Sequence, residues 1–409
     1  MIKKNLKYIK LRDILDVLIL ILVLIPSLIY KIYLKIINKK IWLICEAKDK
    51  ACDNGYHLFK YIRTNYPNDA AYYVIDKKSL DYEKVKEYGN IIKYRSLKHW
   101  IYYLSANLNI STQKYGNPSP ALFYVIHVML GLLNNRIFLQ HGITKDNATW
   151  LYYDKTKFRL FICGAKKEYE YIKEKFNYPN NNVAYLGFSR FDNLYNNNVD
   201  NKQILIMPTW RNWLGRETNF LEKKQEFKNS EYFKKWNSLL NNEELVEYIE
   251  KENIKIYFYP HMNMHAFIKD FKVNSSNIKI ISKEYDIQKL LKESALLVTD
   301  YSSVYMDFAY MNKPIIYYQF DSSKYRENQL QEGYFKYNKD AFGKILIDED
   351  DVVNRIIGYT KMNYKIEPIY QKRMDEFFEL KDQNNNKRIY NYLKNIGWYY
   401  ENKYNSTRI

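Results

Sequence analysis

Cysteine is scarce in this sequence. The 409 residues include only Cys45, Cys52 and Cys163, an odd number without the spacing of a metal-binding motif. This pattern argues against a disulfide-stapled scaffold and is typical of a reducing compartment. The sequence also lacks an internal repeat of solenoid length. A chain of this length exceeds the size at which one hydrophobic core stops growing, which predicts two domains.

Acidic residues are fewer than basic ones, 46 against 64, so the formal net charge is +18. Such an excess predicts attraction to lipid headgroups, nucleotide phosphates, a phosphate-rich polymer or nucleic acid. A general bias toward lysine explains the same number equally well. Despite 43 tyrosines, no recognised nucleic-acid-binding motif or concentrated basic stripe is present, so we expect no nucleic-acid partner.

The amino terminus carries an apolar segment. Residues 17–29 are apolar apart from one proline and one serine, and as a helix they would reach roughly 20 Å, short of the ~30 Å hydrocarbon core. A longer helix would include Lys31 and Lys35, which would have to reach toward headgroups. We therefore predict that residues 1–40 form a membrane-associating helix in the inner leaflet, at the cytoplasmic face, held by anionic lipid. A single transmembrane span and a buried core helix are the alternatives.

Short β-rich runs then alternate with helical patterns, which predicts α/β architecture with mostly parallel sheets. The first predicted strands are 41–45, 71–75, 108–111, 136–139, 159–163 and 183–186. After a polar linker at 196–202, the second set is 204–207, 254–259, 278–281, 295–299, 314–318 and 344–347. Helices are predicted at 232–249, 287–294 and 303–310, and one or two more at 362–396.

This alternation predicts two doubly wound, Rossmann-like domains. We place them at residues 41–200 and 201–361, facing a central cleft, with closing helices in 362–409. Ligands of such sheets bind at the carboxyl ends of the strands, so residues at these ends are the candidates for chemistry.

Two histidines follow predicted strands. In Leu139-Gln140-His141-Gly142, the histidine suits a general base, because the unperturbed pKa of a histidine side chain is about 6.5, and the glycine would let backbone approach a phosphate. A hydrogen-bonded structural histidine is the alternative. His261, in Tyr259-Pro260-His261-Met262, has His265 four residues later, but no third ligand accompanies the pair. We therefore expect no metal site and no cofactor.

The segment 296–303 carries the strongest signal. A buried strand leads into a turn whose serines, Ser302 and Ser303, lie where a helix begins. Free backbone N–H groups, hydroxyls and the positive end of the helix dipole would converge there, which suits a pyrophosphate. Plain helix capping by Ser303 explains the same spacing.

Three basic residues are further candidates. Arg211, in Met207-Pro208-Thr209-Trp210-Arg211, could bind phosphate through two parallel hydrogen bonds, or it could be a solvated surface residue. Lys324 and Arg326, within 321–335, could add positive charge near a nucleotide.

Together these segments resemble the CDP-glycerol glycerophosphotransferase family, which includes the teichoic acid primases and polymerases. The likeness covers about residues 41–347. Four motifs occur in order: His-Gly, Pro-Thr-Trp-Arg, Pro-His-Met, and Thr-Asp-Tyr-Ser-Ser-Val with its downstream Asp-Phe. The resemblance implies a GT-B fold in which the second domain binds CDP and the first presents the acceptor.

The resemblance also implies an activity and residue roles. A polyol phosphate, glycerol phosphate first of all, would pass from a CDP-polyol to a hydroxyl of a lipid-linked glycan or teichoic-acid-like polymer, with release of CMP. His141 matches the family's base and His261 its phosphate-contacting histidine. The candidate residues for the donor phosphates and nucleotide are Thr209, Arg211, Thr299, Asp300, Ser302, Ser303, Lys324 and Arg326.

Two departures from the family pattern favour a subfamily with another polyol or acceptor, such as a capsular glycan. The His-Gly segment continues as Ile143-Thr144-Lys145, where many members have Thr-Pro, and residues 321–333 form a longer stretch than usual. The alternatives are a GT-B glycosyltransferase that uses a nucleotide sugar for surface polysaccharide synthesis, and a catalytically inactive membrane scaffold.

Overall fold

A computed structural model describes residues 11–122, 135–195, 198–215, 220–282 and 285–405. Packing divides them into two compact units. Unit 1 takes its residues from Met1–Ile143, Thr149–Asp192 and Asp382–Ile409, and unit 2 from Thr144–Ala148 and Asn193–Lys381. The predicted domain boundaries at 40, 200 and 361 stay predictions. Units 1 and 2 differ from the predicted domains because the residues from 382 onward belong to unit 1.

The helices alternate with the strands along most of the chain. In chain order they are α1 Leu11–Ile36, α2 Asn54–Asn65, α3 Tyr82–Lys86, α4 Leu97–Ser105, α5 Tyr153–Thr156, α6 Lys166–Lys175, α7 Asn212–Gly215, α8 Phe220–Asn229, α9 Glu231–Leu239, α10 Glu243–Lys251, α11 Ile287–Glu293, α12 Val304–Tyr310, α13 Ser322–Asn328, α14 Tyr337–Asp340, α15 Glu349–Lys361, α16 Pro368–Phe377 and α17 Asn385–Asn405.

Unit 1 is built on a parallel sheet in which the described residues form seven strands. They are β1 Ile41–Cys45, β2 Ala70–Ile75, β3 Ile91–Lys93, β4 Leu108–Ser111, β5 Arg136–Phe138, β6 Leu160–Cys163 and β7 Val183–Tyr185. Their order is β3-β2-β1-β4-β5-β6-β7, which reverses direction at β1 and β4 as in doubly wound sheets. Every residue of β1 and β4 is buried, because helices cover both faces of a parallel sheet.

Unit 2 repeats this plan with six strands in the described residues. They are β8 Asp200–Ile206, β9 Lys255–Phe258, β10 Ile278–Ile280, β11 Ser294–Thr299, β12 Ile315–Tyr318 and β13 Gly343–Leu346. All neighbours are parallel, in the order β10-β9-β8-β11-β12-β13. The structure thus confirms two Rossmann-like parallel sheets with helices.

The structure corrects the sequence predictions in three places. Strand β3 is absent from the prediction. The predicted linker at 196–202 is a strand from Asp200 onward, because Asp200 pairs with Ser294 of β11, while residues 196–197 lie outside the described residues. The single predicted helix at 232–249 is two helices, since Asn242 caps α10 by accepting a hydrogen bond from the Leu245 amide.

The amino-terminal helix α1 is twice as long as the apolar run that predicted it. Its 26 residues extend about 39 Å, so length and composition allow it to cross a membrane. One face of the helix packs on the rest of unit 1. The buried positions on that face are Asp16, Leu20, Val23, Ser27 and Leu34.

Polar contacts fix α1 to the rest of unit 1. Asp16, 1% exposed, forms an ion pair with Arg95 and accepts a hydrogen bond from the Ser119 hydroxyl. Farther along the helix, the Ser105 hydroxyl donates to the Ser27 carbonyl oxygen at 2.9 Å. The opposite face exposes large apolar side chains. They include Leu18, Ile21, Leu22, Ile25, Leu28, Ile29 and Ile32.

Candidate functional site

His141 lies just past the carboxyl end of β5 in unit 1, and its side chain is exposed. Its Nδ1 atom is 3.4 Å from the carbonyl oxygen of Thr112, which follows β4. A carbonyl oxygen only accepts hydrogen bonds, so this long contact assigns the proton of the neutral ring to Nδ1. Nε2 then keeps its lone pair and can take a proton from a hydroxyl.

Two residues that the sequence analysis does not single out hold the backbone before His141. Gln140 is 1% exposed and has a φ of +59°. The side chain of Asn54, at the start of α2, donates to the carbonyl oxygens of Leu139 and Gln140 at 3.1 and 2.9 Å. Local sequence patterns give no signal for a contact between segments so far apart in the chain.

In unit 2, Arg211 follows β8 and has no exposed surface. Its Nε and Nη2 atoms donate to the two carboxylate oxygens of Asp321 at 2.7 and 3.0 Å. Its Nη1 lies 2.8 Å from Oδ2 of Asp300, as an ion pair. The rings of Tyr301 and Tyr325, stacked at 3.8 Å, lie about 5 Å from the guanidinium carbon.

The Arg211 guanidinium stays positively charged, and its charge is already paired with the carboxylates of Asp300 and Asp321. Burial alone would lower the pKa of its guanidinium, but the carboxylates of Asp300 and Asp321 raise this pKa above its ordinary value. Because the guanidinium is fully enclosed, the predicted contact of Arg211 with a donor phosphate would require this cluster to open. That role stays a prediction.

Three neighbouring candidates, Thr209, Thr299 and Asp300, form hydrogen bonds between the carboxyl ends of β8 and β11. Asp300, fully buried, accepts hydrogen bonds from the backbone amides of Thr209 and Tyr301 at 2.7 and 2.6 Å. The hydroxyl of Thr299 donates to the carbonyl oxygen of Met207 at 2.7 Å. These groups position the two loops at the carboxyl edge of the sheet.

Ser302 and Ser303 lie where the sequence predicts them, in the turn between β11 and α12. Ser302 is 8% exposed and Ser303 is partly buried. Within the described residues, the Ser303 side chain makes no capping hydrogen bond to the helix. Helix capping therefore does not account for a serine at position 303, since its hydroxyl forms no hydrogen bond to the described residues of the first turn of α12.

His261 follows β9, and its ring stacks on Trp210 with centroids 6.1 Å apart. Its Nδ1 accepts a hydrogen bond from the Asn263 amide at 3.2 Å. An accepting ring nitrogen carries no proton, so the proton of the neutral ring is on Nε2. This tautomer is the opposite of that of His141, and it suits a donor to phosphate oxygen.

The spacing of His261 and His265 does not produce a metal pair. Nε2 of His265 is 3.0 Å from the Pro260 carbonyl oxygen, to which it must donate. In the part of the chain that the structure describes, no group of three His, Cys, Asp or Glu residues could hold a metal ion. The expectation that the protein uses no cofactor stays a prediction.

The two cations of helix α13 differ in their surroundings. Lys324 is exposed, with Nζ 5.3 Å from the centre of the Trp213 ring, and borders a pocket of about 360 Å³. Arg326 is paired instead, since its Nη1 donates to Asp146 at 2.6 Å. Asp146 also binds the buried ammonium of Lys145 at 2.5 Å. Lys324 is thus the more accessible cation.

Comparison with known proteins shows to which family the chain belongs. The model of CDP-Glycerol:Poly(glycerophosphate) glycerophosphotransferases matches residues 28–395. The chain belongs to this family. The match confirms the resemblance seen in the sequence, and it extends beyond residues 41–347 at both ends.

Two curated relatives act in teichoic acid synthesis according to their names. The minor teichoic acid biosynthesis protein GgaB of Bacillus subtilis is 37% identical over 90% of this chain. The teichoic acid poly(glycerol phosphate) polymerase of Bacillus spizizenii is 31% identical over 47% of this chain. The chain spans less than half of either relative, 41% and 44% of their lengths.

Solved structures show that the fold is shared more widely. A structure of the wall teichoic acid polymerase TagF superposes with a TM-score of 0.67 at 15% identity, covering 91% of this chain and 97% of the chain in that structure. A putative UDP-N-acetylglucosamine 2-epimerase from Listeria monocytogenes gives a TM-score of 0.52 at 14% identity, covering 89% of this chain and 97% of the epimerase. At these identities the likeness concerns the fold alone.

Proposed function

We propose that this glycerophosphotransferase-family protein transfers a polyol phosphate, glycerol phosphate first of all, from a CDP-polyol to a hydroxyl of a lipid-linked or teichoic-acid-like acceptor. The observation that carries the proposal is the His141 ring, which is exposed at the carboxyl edge of a sheet with Nε2 as its acceptor nitrogen. Family membership supports the choice of donor. One TagF structure was determined after a soak with CDPG.

In the proposed reaction the acceptor oxygen attacks the phosphorus that bears the polyol. Nε2 of His141 takes the hydroxyl proton as the new oxygen–phosphorus bond forms. The bond from this phosphorus to the bridging oxygen breaks, and CMP leaves with that oxygen. Transfers of this kind depend mainly on positioning and on stabilisation of phosphate charge.

The donor phosphates are proposed to bind at the turn before α12. The amides of Tyr305 and Met306 donate to the carbonyl oxygens of Ser302 and Ser303 at 3.3 and 3.0 Å. The earlier amides of the turn and the hydroxyls of Ser302 and Ser303 are therefore the groups that we propose to bind phosphate. His261, with its proton on Nε2, would donate to a phosphate oxygen. Arg211, Asp300 and Asp321 would hold the surrounding loops in place.

A GT-B arrangement belongs to this proposal. Unit 1 would present the acceptor and unit 2 would bind CDP, with the two sheets facing a central cleft. The two Rossmann-like sheets and the fold shared with TagF support it. We propose that no resident cofactor takes part, so prolonged chelation should leave turnover unchanged.

We further propose that α1 lies in the plane of the cytoplasmic membrane surface. The Asp16 ion pair and the Ser27 contact attach the helix to unit 1 over much of its length, while its other face is apolar and exposed. A helix so attached could cross the bilayer only if its polar partners followed, which is costly. Positive net charge favours anionic inner-leaflet lipid.

The decisive experiment identifies the leaving nucleotide. Purified full-length protein is incubated with CDP-glycerol, CDP-ribitol or UDP-sugars and a synthetic alkyl-linked glycerol phosphate dimer as acceptor. We expect CMP and an acceptor lengthened by one polyol phosphate. Release of a nucleoside diphosphate with a glycosylated acceptor would instead establish the glycosyltransferase alternative.

A further inference from the structure

The turn that presents His141 has an unfavourable backbone conformation. Gln140 has a φ of +59°, in the left-handed region that side chains other than glycine seldom adopt. Such a conformation persists only when the surrounding structure enforces it, and it is frequent at functional sites. The groups that enforce it are therefore candidates for a role in the reaction.

Asn54 is the centre of these groups. Its side-chain nitrogen donates to two successive backbone carbonyl oxygens, those of Leu139 and Gln140, at 3.1 and 2.9 Å. Its side-chain oxygen accepts a hydrogen bond from the Arg190 amide at 3.1 Å. Asn54 is 1% exposed, so these hydrogen bonds, which join the start of α2, the end of β5 and the turn after β7, are buried.

The Gln140 side chain adds a second constraint. Its Nε2 donates to the Ile162 carbonyl oxygen at 2.7 Å and to Oε1 of Glu168 at 3.0 Å. Oε2 of Glu168 accepts from the Gly164 amide at 2.7 Å. Gln140 is thus held at both its backbone and its side chain, and the next residue is His141.

We infer that Asn54 and Gln140 are positioning residues, which fix the direction of the His141 ring and thereby the placement of its Nε2 atom for proton transfer. The inference rests on the proposed role of His141. Misplacement of a base by about 1 Å can cost on the order of 100-fold in rate without affecting the binding of a distant ligand. Neither residue needs to touch substrate.

The test replaces Asn54 by Asp, which keeps the acceptor for the Arg190 amide but removes both donated hydrogen bonds. With CDP-glycerol and the alkyl-linked acceptor, we expect kcat to fall about 10- to 100-fold with an unchanged KM for CDP-glycerol. The matched control is Asn182→Asp. Asn182 is also buried and donates to one backbone carbonyl oxygen, that of Phe158, at 3.2 Å, so kcat should stay near that of the wild type.

A double variant separates positioning from a general structural effect. In a His141→Ala background, Asn54→Asp should cause no further loss of turnover, because a positioning residue acts only through the group that it positions. If Asn54→Asp is too unstable to purify, Gln140→Met is used in the same cycle, since it keeps the volume and loses both donors.

The outcomes distinguish a failure of the proposed base, His141, from a failure of the positioning role of Asn54 and Gln140. Wild-type turnover in His141→Ala would refute the proposed base and this inference with it. A loss in His141→Ala, with an equal further loss on adding Asn54→Asp or Gln140→Met, would overturn the inference alone. An effect of Asn54→Asp no larger than that of Asn182→Asp would do the same.

Discussion

Arg211 and Asp321 are joined by two parallel hydrogen bonds, Nε to Oδ2 at 2.7 Å and Nη2 to Oδ1 at 3.0 Å. The same guanidinium pairs with Asp300, and all three side chains are buried. The arginine thus pairs with two carboxylates from separate loops at the carboxyl edge of the unit 2 sheet. Its removal would leave two buried carboxylates without their counter-ion.

Arg211→Gln should therefore destabilise unit 2 by about 3–5 kcal/mol, the usual cost of removing one partner from a buried ion pair. The fall is measured as a lower thermal midpoint of the full chain. The control is Arg373→Gln, which loses a hydrogen bond to the Ala341 carbonyl oxygen from a partly exposed site and should cost about 1 kcal/mol. An unchanged midpoint with weaker CDP-glycerol binding would show Arg211 to be a phosphate ligand instead.

The fold is largely visible in the sequence because strands buried on both faces are continuous apolar runs. β11 is an example, with all six residues buried. β3 escapes prediction because it has three residues, of which only Ile92 is buried. The break before α10 has a local signal, an asparagine at the cap position followed by two glutamates, which the longer apolar period of 232–249 obscures.

The site is less predictable than the fold. His141 and the serine pair follow buried strands, so their place at the carboxyl edge of a sheet follows from the strand pattern alone. The burial of Arg211 does not, because its partner Asp321 lies 110 residues later. The contact of Asn54 with the Gln140 carbonyl oxygen spans 86 residues. Tertiary packing creates both contacts, and no local pattern records them.

His141→Ala should lower kcat by about 10²- to 10⁴-fold, the usual contribution of a general base. Affinity for CDP-glycerol should be nearly unchanged, because the proposed donor site lies in unit 2. Turnover is followed as CMP release, and affinity by titration calorimetry with CDP-glycerol. Equal turnover in the variant and the wild type would exclude this histidine as the base.

Replacing both Ser302 and Ser303 by Ala should weaken CDP-glycerol binding by about 10²- to 10⁴-fold, since two hydrogen bonds to charged groups together contribute about 3–6 kcal/mol. The double variant Ser322→Ala/Ser323→Ala is the control, because these exposed serines begin another helix of unit 2, α13. Calorimetry with CDP-glycerol provides the comparison. Equal affinity in both double variants would remove the phosphate site from this turn.

The exposed face of α1 should govern membrane binding. We expect the combined replacement of Leu18, Leu22, Ile25 and Ile29 by Gln to abolish sedimentation with anionic phosphatidylglycerol vesicles, because each buried apolar side chain contributes roughly 1.5–3 kcal/mol. Leu80→Gln is the control, since Leu80 is 82% exposed on another part of unit 1. Alkaline carbonate should extract the wild-type chain from membranes, and resistance to it would favour a span.

Acid should destabilise unit 1 through His99. The ring is 1% exposed, and its Nδ1 accepts a hydrogen bond from the Arg95 amide at 3.0 Å. Burial, together with the charge of Arg95, lowers the pKa of His99 to about 3, whereas the unfolded chain has the ordinary value near 6.5. Between these values the unfolded chain binds a proton that the folded chain does not, so stability rises with pH and is lost on acidification.

His99→Asn tests this dependence, because the amide oxygen can accept from the Arg95 amide but cannot titrate. Between pH 4 and 6, the free energy of unfolding of the wild type should fall more steeply on acidification than that of the variant. The expected difference is about 1.4 kcal/mol per pH unit, the value for one proton. The measurement is urea unfolding followed at several pH values. Parallel curves for the two proteins would mean that His99 is already protonated in the folded state, which its accepting Nδ1 argues against.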